Sequence, residues 1–95
     1  MAIFMKASLP GMTTDRYEAL NAELEALPGD TFAGCLSHVC VPTDTGLEIY
    51  DVWESEEAMN TFGGIIMPLV EKLGLPDSGE PPKVSRVHRF WTRDS

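Results

Sequence analysis

The order of strand and helix signals in this chain predicts an α+β fold of the ferredoxin-like β-α-β-β-α-β kind, a four-stranded antiparallel sheet with both helices on one face. Three observations carry that expectation. Two stretches of helix length have apolar residues at three- and four-residue spacing, two short strand-forming runs joined by a turn cluster lie between them, and one further alternating run flanks each end. Ninety-five residues suit one core, so a single domain over 1–95 is expected.

Residues 2–8 alternate loosely and stop at Leu9-Pro10-Gly11, which predicts β1. Thr13 and Thr14 can each cap a helix, Asp15 puts negative charge in its first turn, and Tyr17, Leu20, Leu24 and Leu27 recur at helical spacing. Helix α1 is therefore expected to reach about Leu27, where Pro28-Gly29-Asp30 stops it. Residues 33–41 read as β2, Pro42-Thr43-Asp44-Thr45-Gly46 as a turn, and 47–53 as β3. Ser55 caps α2, whose first turn carries Glu56 and Glu57 and whose apolar stripe is Met59, Phe62, Ile66, Leu69 and Leu73. Gly63-Gly64 and Pro68 lie inside it, and an interior proline costs about 3 kcal/mol, so α2 is expected in two pieces. Residues 76–82 form a turn-rich connector, and 84–92 alternate again as β4. The expected spatial order is 4-1-3-2, with one sheet face left bare and a homodimer stacking sheet on sheet to cover it.

Composition narrows the partners. The chain is 43% hydrophobic and 23% charged, which is ordinary for a globular protein. Fifteen acidic against seven basic residues leave a net charge of −8, which repels phosphate backbones and anionic lipid, so neither nucleic acid nor membrane is expected as a partner. The apolar start, residues 1–5, is too short for a signal-peptide core or a membrane span, and a cytoplasmic location is expected. Cys35 and Cys40 fall in one extended segment with alternating sides, which argues for two reduced thiols.

His38 and His88 are the two histidines, the side chains best suited to proton transfer near neutral pH. If the hairpin turn holds the four residues 43–46, Pro42 faces Leu47 and His38 lies directly opposite Asp51, close enough for the carboxylate to orient the imidazole. Leu47, Ile49 and Trp53 share the face of Asp51, with Leu36 and Cys40 beside His38, a mostly apolar wall suited to a flat aromatic phenol. A one-residue change in the turn would instead bring Tyr50 opposite His38, and in that parity Glu48, Tyr50 and Val52 line the wall with Tyr50 as its polar handle. Arg86, His88 and Phe90 share one face of β4, where Arg86 could stabilise a phenolate or simply guard an edge strand. His38 on β2 and His88 on β4 stand three strand spacings of roughly 4.8 Å apart, so no metal site is expected. Gly63-Gly64 lacks the longer pattern of a dinucleotide loop, and no cofactor is indicated.

Several strings carry a resemblance: Gly11-Met12-Thr13 leading into Tyr17, Ser37-His38-Val39 before Pro42-Thr43, Asp51-Val52-Trp53-Glu54-Ser55-Glu56-Glu57-Ala58, then Phe62 and Val87-His88. Together they resemble the antibiotic biosynthesis monooxygenase superfamily over nearly the whole chain. The resemblance implies a dimeric α/β barrel with a pocket between sheet and helices. It also implies a choice among cofactor-free oxygenases of quinol-like or polyketide aromatics, haem-degrading enzymes and proteins of other roles. Haem degradation fits poorly, because that branch commonly carries its axial histidine on the second helix and residues 55–73 contain none. The expected function is thus a cofactor-independent enzyme on a small aromatic or polyketide-like molecule, a monooxygenase or a cyclase/isomerase. His38 held by Asp51 would take the proton, and Trp53, Tyr50 and Phe62, with Arg86 and His88, would bind substrate. The alternative is a non-catalytic dimeric barrel binding a small hydrophobic ligand, in which Trp53 only fills the strand end and Ser55 only caps α2.

Overall fold

The computed structural model of the chain describes residues 1–76 and 80–93. Its elements are β1 (Ile3–Pro10), α1 (Thr14–Glu25), β2 (Cys35–Pro42), β3 (Gly46–Trp53), α2 (Glu56–Leu73) and β4 (Lys83–Arg86). All strand pairs are antiparallel, in the order β2-β3-β1-β4, the expected 4-1-3-2 arrangement read from the other edge. The fold is ferredoxin-like α+β.

The central strands set the two faces. Ile3, Met5, Ala7 and Leu9 pair with Trp53, Asp51, Ile49 and Leu47 and face the helices. Phe4, Lys6 and Ser8 pair with Val52, Tyr50 and Glu48 on the opposite face. The buried apolar side chains come from β1 and β3, from Met12 in the turn, and from Leu20 and Leu24 of α1. Thr13 caps α1 by accepting from the Arg16 amide at 3.2 Å. The helix ends at Glu25 rather than near Leu27, because a residue before proline is pushed out of helical conformation and Leu27 precedes Pro28.

Strand β2 starts two residues later than expected. Ala33 and Gly34 belong to a turn that needs the left-handed φ of +87° at Gly34, a conformation glycine adopts without strain. The hairpin holds the four-residue turn: Thr43 N donates to Gly46 O at 2.8 Å, Gly46 N donates to Thr43 Oγ1 at 3.0 Å, and Pro42 pairs with Leu47.

Helix α2 corrects the expectation of two pieces. It runs unbroken through Gly63, Gly64 and Pro68, with Ser55 accepting from the Ala58 amide at 3.1 Å and Gly74 closing it at φ 64°. Pro68 removes one N–H from the ladder, and the carbonyl left over belongs to Gly64, an exposed residue where water can take it. Both ends are capped and Lys72 reaches Glu23 of α1 at 3.1 Å, so the helix absorbs that loss without breaking.

Strand β4 is also shorter than the alternating run 84–92. Arg86 pairs with Ile3, the first residue of β1, and Val87 N donates to Ala2 O at 3.0 Å; past this point no strand lies alongside. Of the connector expected over 76–82, residues 77–79 lie outside the described residues.

Candidate active site

A cavity of about 890 Å³ lies between the helix-facing side of the sheet and the two helices. Its floor includes Met5, Ala7 and Ile49, and α2 contributes Phe62, Gly63 and Ile66. Met59, Phe62 and Ile66 of the α2 stripe line this space instead of filling it, Leu69 and Leu73 do not border it, and no residue of α2 is buried.

Hairpin register positions the polar groups. His38 pairs with Asp51, so both point to the cavity side. A bulge between Cys35 and Ser37 makes Leu36 the extra residue and puts Cys35 opposite Trp53; Leu36, 48% exposed, borders the cavity as expected, whereas Cys40 and Leu47 of the expected wall are not part of its lining. The bulge also brings Cys35 and Cys40 onto the same face instead of opposite ones. Their partners Trp53 and Ile49 are four residues apart on β3, about 13 Å, which is too far for a disulfide, and both are free thiols. Burial raises both thiol pKa values, which keeps them protonated and unreactive.

Asp51 is the one buried charged residue among the described residues, 3% exposed, and its carboxylate is held at two points. His38 Nδ1 lies 2.6 Å from Oδ1, and Trp53 Nε1 donates to Oδ2 at 3.3 Å. An ionised carboxylate only accepts, so Nδ1 carries a proton and Nε2 of the neutral ring is an acceptor. Tyr17 Oη of α1 lies 2.5 Å from that Nε2. The hydrogen bond to Asp51 raises the His38 pKa above the ordinary imidazole value; partial burial opposes the rise and the charge of Asp51 adds to it. Burial raises the Tyr17 phenol above its ordinary 10.0. The chain thus forms Tyr17–His38–Asp51–Trp53 from α1, β2 and β3, opening on an apolar space. Such a chain can accept a proton at neutral pH and hold the resulting imidazolium against a carboxylate.

Trp53, 1% exposed, lies with its ring centroid 5.2 Å from that of Phe62, which in turn lies 5.6 Å from that of Phe32. Those three rings border the cavity. The other expected binding residues do not. Tyr50 lies on the opposite sheet face, where its hydroxyl donates to Glu48 at 2.9 Å, because the observed register gives the cavity side to Asp51. Arg86 faces the helix side but stands exposed on the edge strand, outside the cavity lining. His88 follows the end of β4 and is exposed, since the ladder that would have aligned it with Arg86 stops first. Tyr17 is the group to which the sequence assigned no site role, placing it in a helix stripe and at the end of a resemblance string. A tyrosine within a leucine stripe was the available signal, because a phenol facing a sheet needs a polar partner.

No family model matches the sequence, and no curated protein matches it by sequence. Solved structures do. The chain is similar to protein YJCS from structural genomics, with a TM-score of 0.61 and 18% identity over 93% of this chain and 100% of that one. It is similar to the same degree, TM-score 0.61 with 15% identity over 94% of each chain, to a mutant of SnoaB, a cofactor-independent oxygenase from Streptomyces nogalater. At these identities the likeness is one of fold. Among the described residues, no helix is long and apolar enough to cross a membrane.

Proposed function

We propose that the chain is a cofactor-independent enzyme that removes a proton from a small aromatic or polyketide-like molecule, as a monooxygenase or a cyclase/isomerase, and that it works as a homodimer. The observation that carries this reading is the buried Asp51 carboxylate, anchored by Trp53 and hydrogen-bonded to His38 at the wall of an apolar cavity. A histidine whose pKa is raised by its hydrogen bond to Asp51 is a stronger base than a free imidazole and gains driving force for the transfer. The aromatic cluster of Trp53, Phe62 and Phe32 suits a flat ring, and the shared fold with a cofactor-independent oxygenase points the same way. In the oxygenase mode the substrate anion supplies its electrons directly to dioxygen; in the cyclase mode its carbon attacks within the same molecule, and the cavity holds the folded geometry.

Turnover of a hydroxynaphthalene by the wild type and by His38→Ala tests the reading. Loss of a general base is expected to lower kcat by about 10²–10⁴-fold. Equal turnover would remove His38 as the base, whereas binding without turnover that leaves the His38 titration unmoved would favour a non-catalytic binder. Undiminished product without dioxygen would exclude the oxygenase mode.

A further inference from the structure

We propose that Tyr17, not His38, is the side chain that meets the substrate, and that its hydroxyl relays the substrate proton to His38. This rests on the acid–base reading of the site proposed above. The argument begins from the imidazole, whose nitrogens are both engaged: Nδ1 with Asp51 at 2.6 Å and Nε2 with Tyr17 at 2.5 Å. A substrate entering the cavity therefore finds no open nitrogen on His38. It does find the Tyr17 hydroxyl, which borders the cavity and commits its single proton to Nε2; the Asn21 side chain donates toward one lone pair, and the other can accept from an incoming O–H.

The transfer is a two-bond exchange. The substrate O–H breaks and its proton joins Tyr17 Oη; at the same time the Tyr17 O–H breaks and its proton joins His38 Nε2. The electron pair stays on the substrate as a phenolate or enolate, Tyr17 ends neutral, and the imidazolium faces the Asp51 carboxylate. No oxidant or co-reactant enters this step. Burial raises the Tyr17 pKa, which disfavours a standing tyrosinate and favours passing both protons together. The relay is held rigidly. Tyr17 sits in the first turns of a helix capped by Thr13 and anchored by buried Leu20 and Leu24, and its ring lies parallel to His38 within 2°.

The test uses 4-nitrophenol, whose phenolate colour reports proton loss, bound to the full chain on the acid side of the free phenol's own ionisation. Wild type is expected to bind it as phenolate. Tyr17→Phe is expected to lower the bound ionisation equilibrium by roughly 10- to 10²-fold, with affinity falling in step, because the phenolate then lacks the hydroxyl that donates to it. His38→Ala, which removes the acceptor of the proton, is expected to lower it at least as far. Phenolate at the wild-type level in Tyr17→Phe, with His38→Ala inactive, would overturn the relay and leave the base reading standing. Wild-type ionisation in His38→Ala, or none in wild type, would overturn both. Should Tyr17→Phe misfold or lose binding, the Cζ resonance of ¹³C-labelled Tyr17 in the wild type decides: a shift on adding the phenol supports the relay, and an unmoved resonance overturns it.

Discussion

Asp51 carries most of the site's electrostatics. Its two oxygens take hydrogen bonds from an exposed strand and from a buried indole, so replacing it removes a partner from both. Asp51→Asn is expected to cost about 1–3 kcal/mol in urea unfolding, since a buried donor loses its acceptor or meets a poorer one. It is also expected to bring the His38 pKa down, measurable by NMR titration of the imidazole. The sign for stability follows from linkage. Folding raises His38 above its ordinary 6.5, so the contribution of the pair is fully present below that value and is lost as pH rises through the folded pKa. The His38 side chain is 42% exposed, so solvent screening keeps this contribution small. In Asp51→Asn that part of the pH dependence is expected to vanish.

At the scale of elements, two glycines make opposite predictions. A Cβ at Gly64, on the exposed side of α2, would meet nothing within 4 Å, so Gly64→Ala is expected to stabilise by about 0.5–1 kcal/mol in thermal unfolding. A Cβ at Gly34 would lie 2.6 Å from the Cβ of Ala58, at a φ of +87° that other residues rarely adopt. Gly34→Ala is expected to destabilise, and because this turn leads into the β2 bulge, the loss should come with displaced His38 resonances. The continuity of α2 teaches a related lesson. Local propensity weighs each residue alone, whereas the helix responds to its two caps and to where the unpaired carbonyl falls, and here it falls at exposed Gly64.

For the whole molecule the second sheet face matters most, because it leaves apolar side chains exposed. Val39 is 48% and Val41 38% exposed there, beside Phe4 and Tyr50, whose rings lie 6.3 Å apart. In the proposed homodimer this face stacks on its copy, so light scattering at micromolar concentration is expected to read a dimer, and Val39→Glu a monomer, since it buries an unpaired charge. The same scale separates what was legible from what was not. Strand and helix order and the 4-1-3-2 sheet followed from the sequence, because periodicity and breakers act over short stretches of chain, and His38 opposite Asp51 was one of the two registers the sequence allowed. The shortened β4, which strands His88 outside the cavity, followed from where β1 begins, and the exclusion of Tyr50 followed from choosing one of two registers. Tyr17 and the indole hold on Asp51 were invisible as a network. The amino-acid order by itself determined which residues alternate, cap and turn, since those preferences are local. Only the tertiary structure decided that a phenol twenty-one residues away closes on Nε2 of His38, because that contact exists only once α1 packs over the sheet.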